Sequence, residues 1–105
     1  MNDYILACKA LPPGGRTRVE KDGIKIAVFN IDGYHFAILD ACPHKKTAPL
    51  FRGTLDAETI KCPNHGFCFD LKTGVCNKGP HLNTTVFHTR EEDGKIFIGP
   101  PKNSQ

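Results

Sequence analysis

An all-β fold is the class this sequence predicts, from three observations. Ten glycines and eight prolines interrupt the chain. No window carries convincing helical periodicity, and short runs rich in β-branched and aromatic residues lie between the interruptions. At 105 residues the chain has room for one domain, residues 1–105, around one core, and none for a second catalytic domain. Apolar residues make up 39%, with seven Phe and no Trp, so the core is adequate but thin.

The elements follow in order. Residues 4–8 and 17–20 are strand candidates, separated by Leu11-Pro12-Pro13-Gly14-Gly15, which cannot continue regular structure. Residues 24–29 and 34–39 alternate as two strands across Asn30-Ile31-Asp32-Gly33, a β-hairpin with a Gly-containing turn. Residues 85–90 and 95–98 form a second hairpin through Glu91-Glu92-Asp93-Gly94, whose acidic side chains suit an exposed turn. Between the hairpins, from about residue 40 to 80, lies an insert with short strands at 59–62 and 67–70 and a turn at Lys72-Thr73-Gly74. Residues 100–105 are expected to fray.

The insert carries the chemistry. Cys42-Pro43-His44 and Cys62-Pro63-Asn64-His65-Gly66 present two thiols and two imidazoles, with seventeen residues between His44 and Cys62. Each short segment offers one anionic sulfur and one neutral nitrogen, so a two-iron cluster could take both thiolates on one iron and both imidazoles on the other. Cys2His2 is also a common tetrahedral zinc set, which would make the chain a zinc-stabilised interaction module. Zinc fingers, however, usually pair like ligands and close on His-x3-5-His in a helix, and here each pair is mixed and no helix follows. A cross-link between two distant segments would add its binding free energy to folding.

These segments, with Phe69-Asp70-Leu71-Lys72-Thr73-Gly74 behind them, resemble the Rieske-type ferredoxin family over essentially the whole chain. The resemblance implies the Rieske fold: small antiparallel sheets in a sandwich, three in number, with a cluster-binding subdomain inserted between hairpins. It implies one Rieske [2Fe-2S] cluster per chain, with Cys42 and Cys62 on the inner iron and His44 and His65 on the outer, solvent-facing one. Neutral imidazoles favour placing the added electron on the iron they hold. Family members of high potential add a disulfide between the segments, at positions occupied here by Thr47 and Asn64. They also donate hydroxyls toward sulfur at the positions of Phe67 and Phe69. Without those donors the reduced state is less stabilised, and the implied potential lies near the low end of the Rieske range, about −150 mV. His81 follows Gly79-Pro80, where the family carries a third loop packed over the cluster.

Other residues have plainer readings. Cys8, Cys68 and Cys76 are expected to be small buried hydrophobes, with a Cys68–Cys76 disulfide left open. His35 and His88 are read as surface or cross-strand residues. Lys45, Lys46, Arg52, Lys61, Lys72 and Lys78 crowd the insert in a chain of net charge +3, either as a solvated face or as a surface that steers an acidic partner. Nucleic acid is not expected as a partner, because no recognition helix or basic strip interleaved with aromatics is present. No export signal or membrane span is visible, so a cytoplasmic monomer is expected.

The resemblance therefore implies a one-electron carrier, not itself an enzyme. It would link a flavin-dependent NAD(P)H ferredoxin reductase to a terminal non-haem iron oxygenase. The alternative within the same fold is the Rieske-like small subunit of an assimilatory nitrite reductase.

Overall fold

The computed structural model describes residues 4–21, 23–40, 50–62, 67–77 and 84–102. Among these residues, nine strands and one turn of 3-10 helix run in the order β1 (Ile5–Lys9), β2 (Arg16–Lys21), β3 (Ile24–Ile31), β4 (Tyr34–Leu39), the 3-10 turn Leu50–Arg52, β5 (Thr54–Asp56), β6 (Thr59–Lys61), β7 (Cys68–Asp70), β8 (Val86–Glu92) and β9 (Lys95–Pro101). They form a six-stranded antiparallel sheet of order β1-β9-β8-β4-β3-β2 and a three-stranded sheet of order β5-β6-β7.

Both expected hairpins form, but with tighter turns than the sequence suggested. Asp32 and Gly33 take φ of 53° and 90°, and Asp93 and Gly94 take 53° and 72°. Two consecutive positive φ values define the two-residue turn whose twist matches the flanking strands, and Asp-Gly is a favoured pair for it. Strand pairing therefore continues to Ile31↔Tyr34 in one hairpin and Glu92↔Lys95 in the other. The buried Asn30 holds the first turn from below: its Oδ1 accepts the Gly33 N–H at 2.8 Å. Its Nδ2 donates to Leu11 O at 2.5 Å, which folds the proline-rich connection back over the hairpin.

The six-stranded sheet consists of two three-stranded halves. The seam between them is β4 against β8, and only Ala37↔Phe87 and Ile38↔Val86 are in register across it. So narrow a seam lets the sheet fold on itself until β1 lies against β2. Adding the small sheet gives three units of three strands, and the three implied sheets become two because the seam joins two of them. β5 and the 3-10 turn were not anticipated, since three-residue elements are too short to show a period.

β3 is buried on both faces, Ile26, Ala27, Val28 and Phe29 having no exposed surface. Ile26 and Val28 pack with Ala37, Phe87 and Ile98 inside the folded sheet. Ala27 and Phe29 face the other way, onto Leu50, Ile60, Cys62, Phe69 and Leu71. This second core joins the large sheet to the small one, and it contains one of the expected ligands.

Candidate metal centre

Cys62 directly follows β6, and 2% of its surface is exposed. The apolar residues that share its core are Leu50, Ile60, Phe69, Leu71 and Val86. Its N–H donates to Phe67 O at 2.6 Å, which closes the β6–β7 connection around residues 63–66. The meander β5-β6-β7 fixes this end, with Lys61 opposite Thr54 on one side and Cys68 on the other. Cys42, His44 and His65 lie outside the described residues, as do Thr47, Asn64, His81, Lys45, Lys46 and Lys78.

The described ends of the first ligand segment are joined by polar contacts that the sequence reading missed. Asp40 ends the run from β4, and its Oδ1 accepts the Phe51 N–H at 2.8 Å. Its Oδ2 accepts Arg18 Nε at 2.6 Å, and the carboxylate side chain has no exposed surface. Arg16, two residues earlier on β2, donates from Nη1 to Phe51 O at 2.8 Å and to Gly53 O at 2.7 Å. The only sequence signal was the alternation Arg16-Thr17-Arg18, which puts two cations on one face of a strand. Nothing local said which segment that face would meet.

A third closure lies beside β7. Asn77 N donates to Cys68 O at 3.0 Å, and Asn77 Oδ1 accepts the Cys68 N–H at 3.0 Å. Beyond residues 78–83, Thr84 N donates to Gly74 O at 2.9 Å. Cys76 is buried opposite Phe69, and no disulfide links any of the described cysteines Cys8, Cys62, Cys68 and Cys76. Cys8 and Cys68 are only half-buried, short of the burial expected of them, and partial burial pushes the Cys8 thiol pKa up, which lowers its reactivity.

Phe69 is fully buried in the core that holds Cys62, and Phe67 packs against that core. Neither offers a hydroxyl, so the aromatic surface that β7 and its approach supply is apolar. His88 is exposed, as expected. His35 takes the cross-strand place, opposite Asn30 on β3; 5% of its side chain is exposed, and its Nε2 accepts the Leu11 N–H at 2.9 Å.

The donor set and its surroundings fit an iron–sulfur cluster. Two thiols and two imidazoles suit its mixed ligation. Cys62, the one expected ligand among the described residues, is screened from water by aliphatic and aromatic side chains, as the sulfur-bearing side of such a centre would require.

A small all-β protein with a buried candidate cysteine ligand, Cys62, at the start of the closed β6–β7 connection is the class this scaffold defines. The chain belongs to the Rieske [2Fe-2S] domain family, whose model matches residues 3–97. It is 36% identical over 102 residues to the 3-phenylpropionate/cinnamic acid dioxygenase ferredoxin subunit of Escherichia coli strain K12, covering 93% of this chain and 94% of the relative. It also matches a chain of the complex of reduced oxygenase and oxidized ferredoxin in carbazole 1,9a-dioxygenase. That match has 29% identity and a TM-score of 0.85, over 100% of both chains. A structure assigned as an NADH-dependent nitrite reductase small subunit from Mycobacterium tuberculosis superposes with a TM-score of 0.85 at 24% identity, over 100% of this chain and 99% of that one. At that identity the likeness is one of fold alone. The cofactor is a Rieske [2Fe-2S] cluster, and the chain is an electron carrier. Among the described residues no helix is long and apolar enough to cross a membrane.

Proposed function

We propose that Cys42 and Cys62 hold one iron and His44 and His65 the other. We further propose that the chain passes electrons from a flavin-dependent NAD(P)H reductase to a terminal non-haem iron oxygenase. The observation that carries the reading is the burial of Cys62 beside closed segments, in a chain that matches a dioxygenase ferredoxin subunit along nearly its whole length. The bound cluster supplies one-electron uptake and release. The chain's own residues hold it, keep water from the thiolate side, and present the segments to a partner. The three-stranded sheet with its flanking segments, about residues 40–80, serves as the cluster-binding subdomain.

The partner surface is proposed to be acidic. Arg52 and Lys61 are exposed at the Cys62 end of the small sheet, and neither forms an ion pair with a described carboxylate. Asp56, Glu58 and Asp70 lie at the opposite end, where Asp56 and Asp70 flank Thr59 in register. Lys72 is neutralised there by Glu58 at 3.0 Å.

Anaerobically purified protein is expected to carry iron and acid-labile sulfide in equal amounts and, once reduced, to give the rhombic low-field EPR signal of mixed Cys/His ligation. His65→Cys, which replaces a neutral ligand by an anionic one, is expected to lower the midpoint potential. Zinc in place of iron, or an unchanged potential in a fully assembled His65→Cys cluster, would contradict the ligand assignment.

A further inference from the structure

Three contacts converge on Phe51, just beyond the first ligand segment. Its N–H is held by Asp40, its carbonyl by Arg16, and its ring lies 4.8 Å from the Arg18 guanidinium carbon. Asp40 uses both carboxylate oxygens, one on Phe51 and one on Arg18, and is fully enclosed, whereas 40% of the Arg18 side chain is exposed. Asp40 and Phe51 bracket the stretch that contains Cys42 and His44. Chain connectivity alone keeps the Asp40 and Cys42 Cα atoms within about 7.6 Å, two trans peptide steps.

A buried ion pair is weak evidence for stability, because apolar side chains of similar volume often do as well. What it supplies instead is fixed geometry and a fixed pair of charges. We propose that Asp40 and Arg18 are positioning residues of the metal centre: their ion pair locks the foot of the segment bearing Cys42 and His44, and their charges bias electron uptake there. The inference rests on the ligand reading given above.

The two charges act in opposite senses. Uptake of an electron makes the centre more negative, so the enclosed Asp40 carboxylate opposes reduction and Arg18 favours it. The carboxylate is the less screened of the two, being shut away from solvent.

The test compares wild-type holoprotein with Asp40→Asn, Arg18→Gln and Arg18→Lys, reading midpoint potential, EPR line positions and the rate of bleaching by a chelator. Asp40→Asn keeps an oxygen for the Phe51 N–H but loses the charge, and its potential is expected to rise. Arg18→Gln is expected to lower it, and both variants should bleach several-fold faster. Arg18→Lys keeps the charge but loses the planar fork, so its potential should stay near wild type while bleaching still accelerates. A merely structural role would loosen the cluster without shifts of opposite sign. Shifts in the same direction, or none, overturn the proposal. If Arg18→Gln does not fold, the Asp40→Asn/Arg18→Gln double variant, which leaves no buried charge, replaces it. A double-variant potential below that of Asp40→Asn supports the proposal, and one equal to it overturns it. A wild-type protein without cluster would overturn the ligand reading, and this inference with it. A cluster whose potential ignores both residues overturns the inference alone.

Discussion

His35 is held as a neutral ring with its proton on one named nitrogen. Because Nε2 accepts the Leu11 N–H, the proton sits on Nδ1, which lies 3.9 Å from Glu91 Oε1. Burial lowers its pKa below the ordinary value of 6.5, and the half-exposed Glu91 only partly counters this. A depressed histidine pKa means that the unfolded chain binds the proton at a pH where the folded chain does not, so stability rises with pH across that interval. The contribution is complete above pH 6.5 and is lost as pH falls from 6.5 through the lowered folded value. Denaturant unfolding of the holoprotein is expected to show this loss, with a slope no steeper than about 1.4 kcal/mol per pH unit for one proton. His35→Gln retains an acceptor for Leu11 but cannot take up the proton, and the His35 part of the slope should vanish. An identical pH profile in the variant would mean that other groups carry it. The sequence reading left His35 as either a surface or a cross-strand residue because alternation along β4 gives a face but not what covers it. The cover is the Leu11 segment, folded back by Asn30.

The strand elements show the same division between local and distant information. The hairpins β3–β4 and β8–β9 were legible because alternation and an Asp-Gly turn are both local signals. The pairing of β1 with β9, which joins Ile5 to Ile98, was not, since it depends on where the two ends of the described chain meet. The candidate site divided in the same way: residue type and spacing marked Cys62 as a candidate, while the contacts of Asp40, Arg16 and Arg18 arose only when β2 packed against the 3-10 turn. Gly53 belongs with the hidden group. It follows that turn and is buried, and a Cβ there would overlap Lys61 O and lie 3.1 Å from the Ile60 side chain. Since Lys61 O is backbone of the strand that leads into Cys62, relief would require moving β6 itself. Gly53→Ala is therefore expected to destabilise the protein by roughly 1–3 kcal/mol, the usual range for overpacking. Cluster content should fall in parallel, measured as iron per chain beside the denaturation midpoint. Full iron occupancy at an unchanged midpoint would show that the two strands separate more easily than this packing implies.

Charge is distributed over the whole molecule in a way that bears on how it meets a partner. The net charge is +3, but some of the charge is already paired: the enclosed Asp40 is matched by Arg18, and the surface Glu58 by Lys72. On the small sheet the cations without a described partner, Arg52 and Lys61, sit at the end where Cys62 lies, and the carboxylates sit at the other. A dipole of that sense orients the molecule in the field of an acidic surface before contact, which raises the association rate more than the final affinity. Stopped-flow reduction of the terminal acceptor is therefore expected to slow as ionic strength rises, since exposed charges are screened beyond about 8 Å at 0.15 M. Arg52→Glu and Lys61→Glu should each lower the bimolecular rate several-fold at low salt and flatten its salt dependence, with the midpoint potential unaffected. Lys72→Glu alters net charge by the same amount at the far end and serves as the control. Equal effects from all three would point to net charge alone, and a rate that rises with salt would mean that the partner surface is basic.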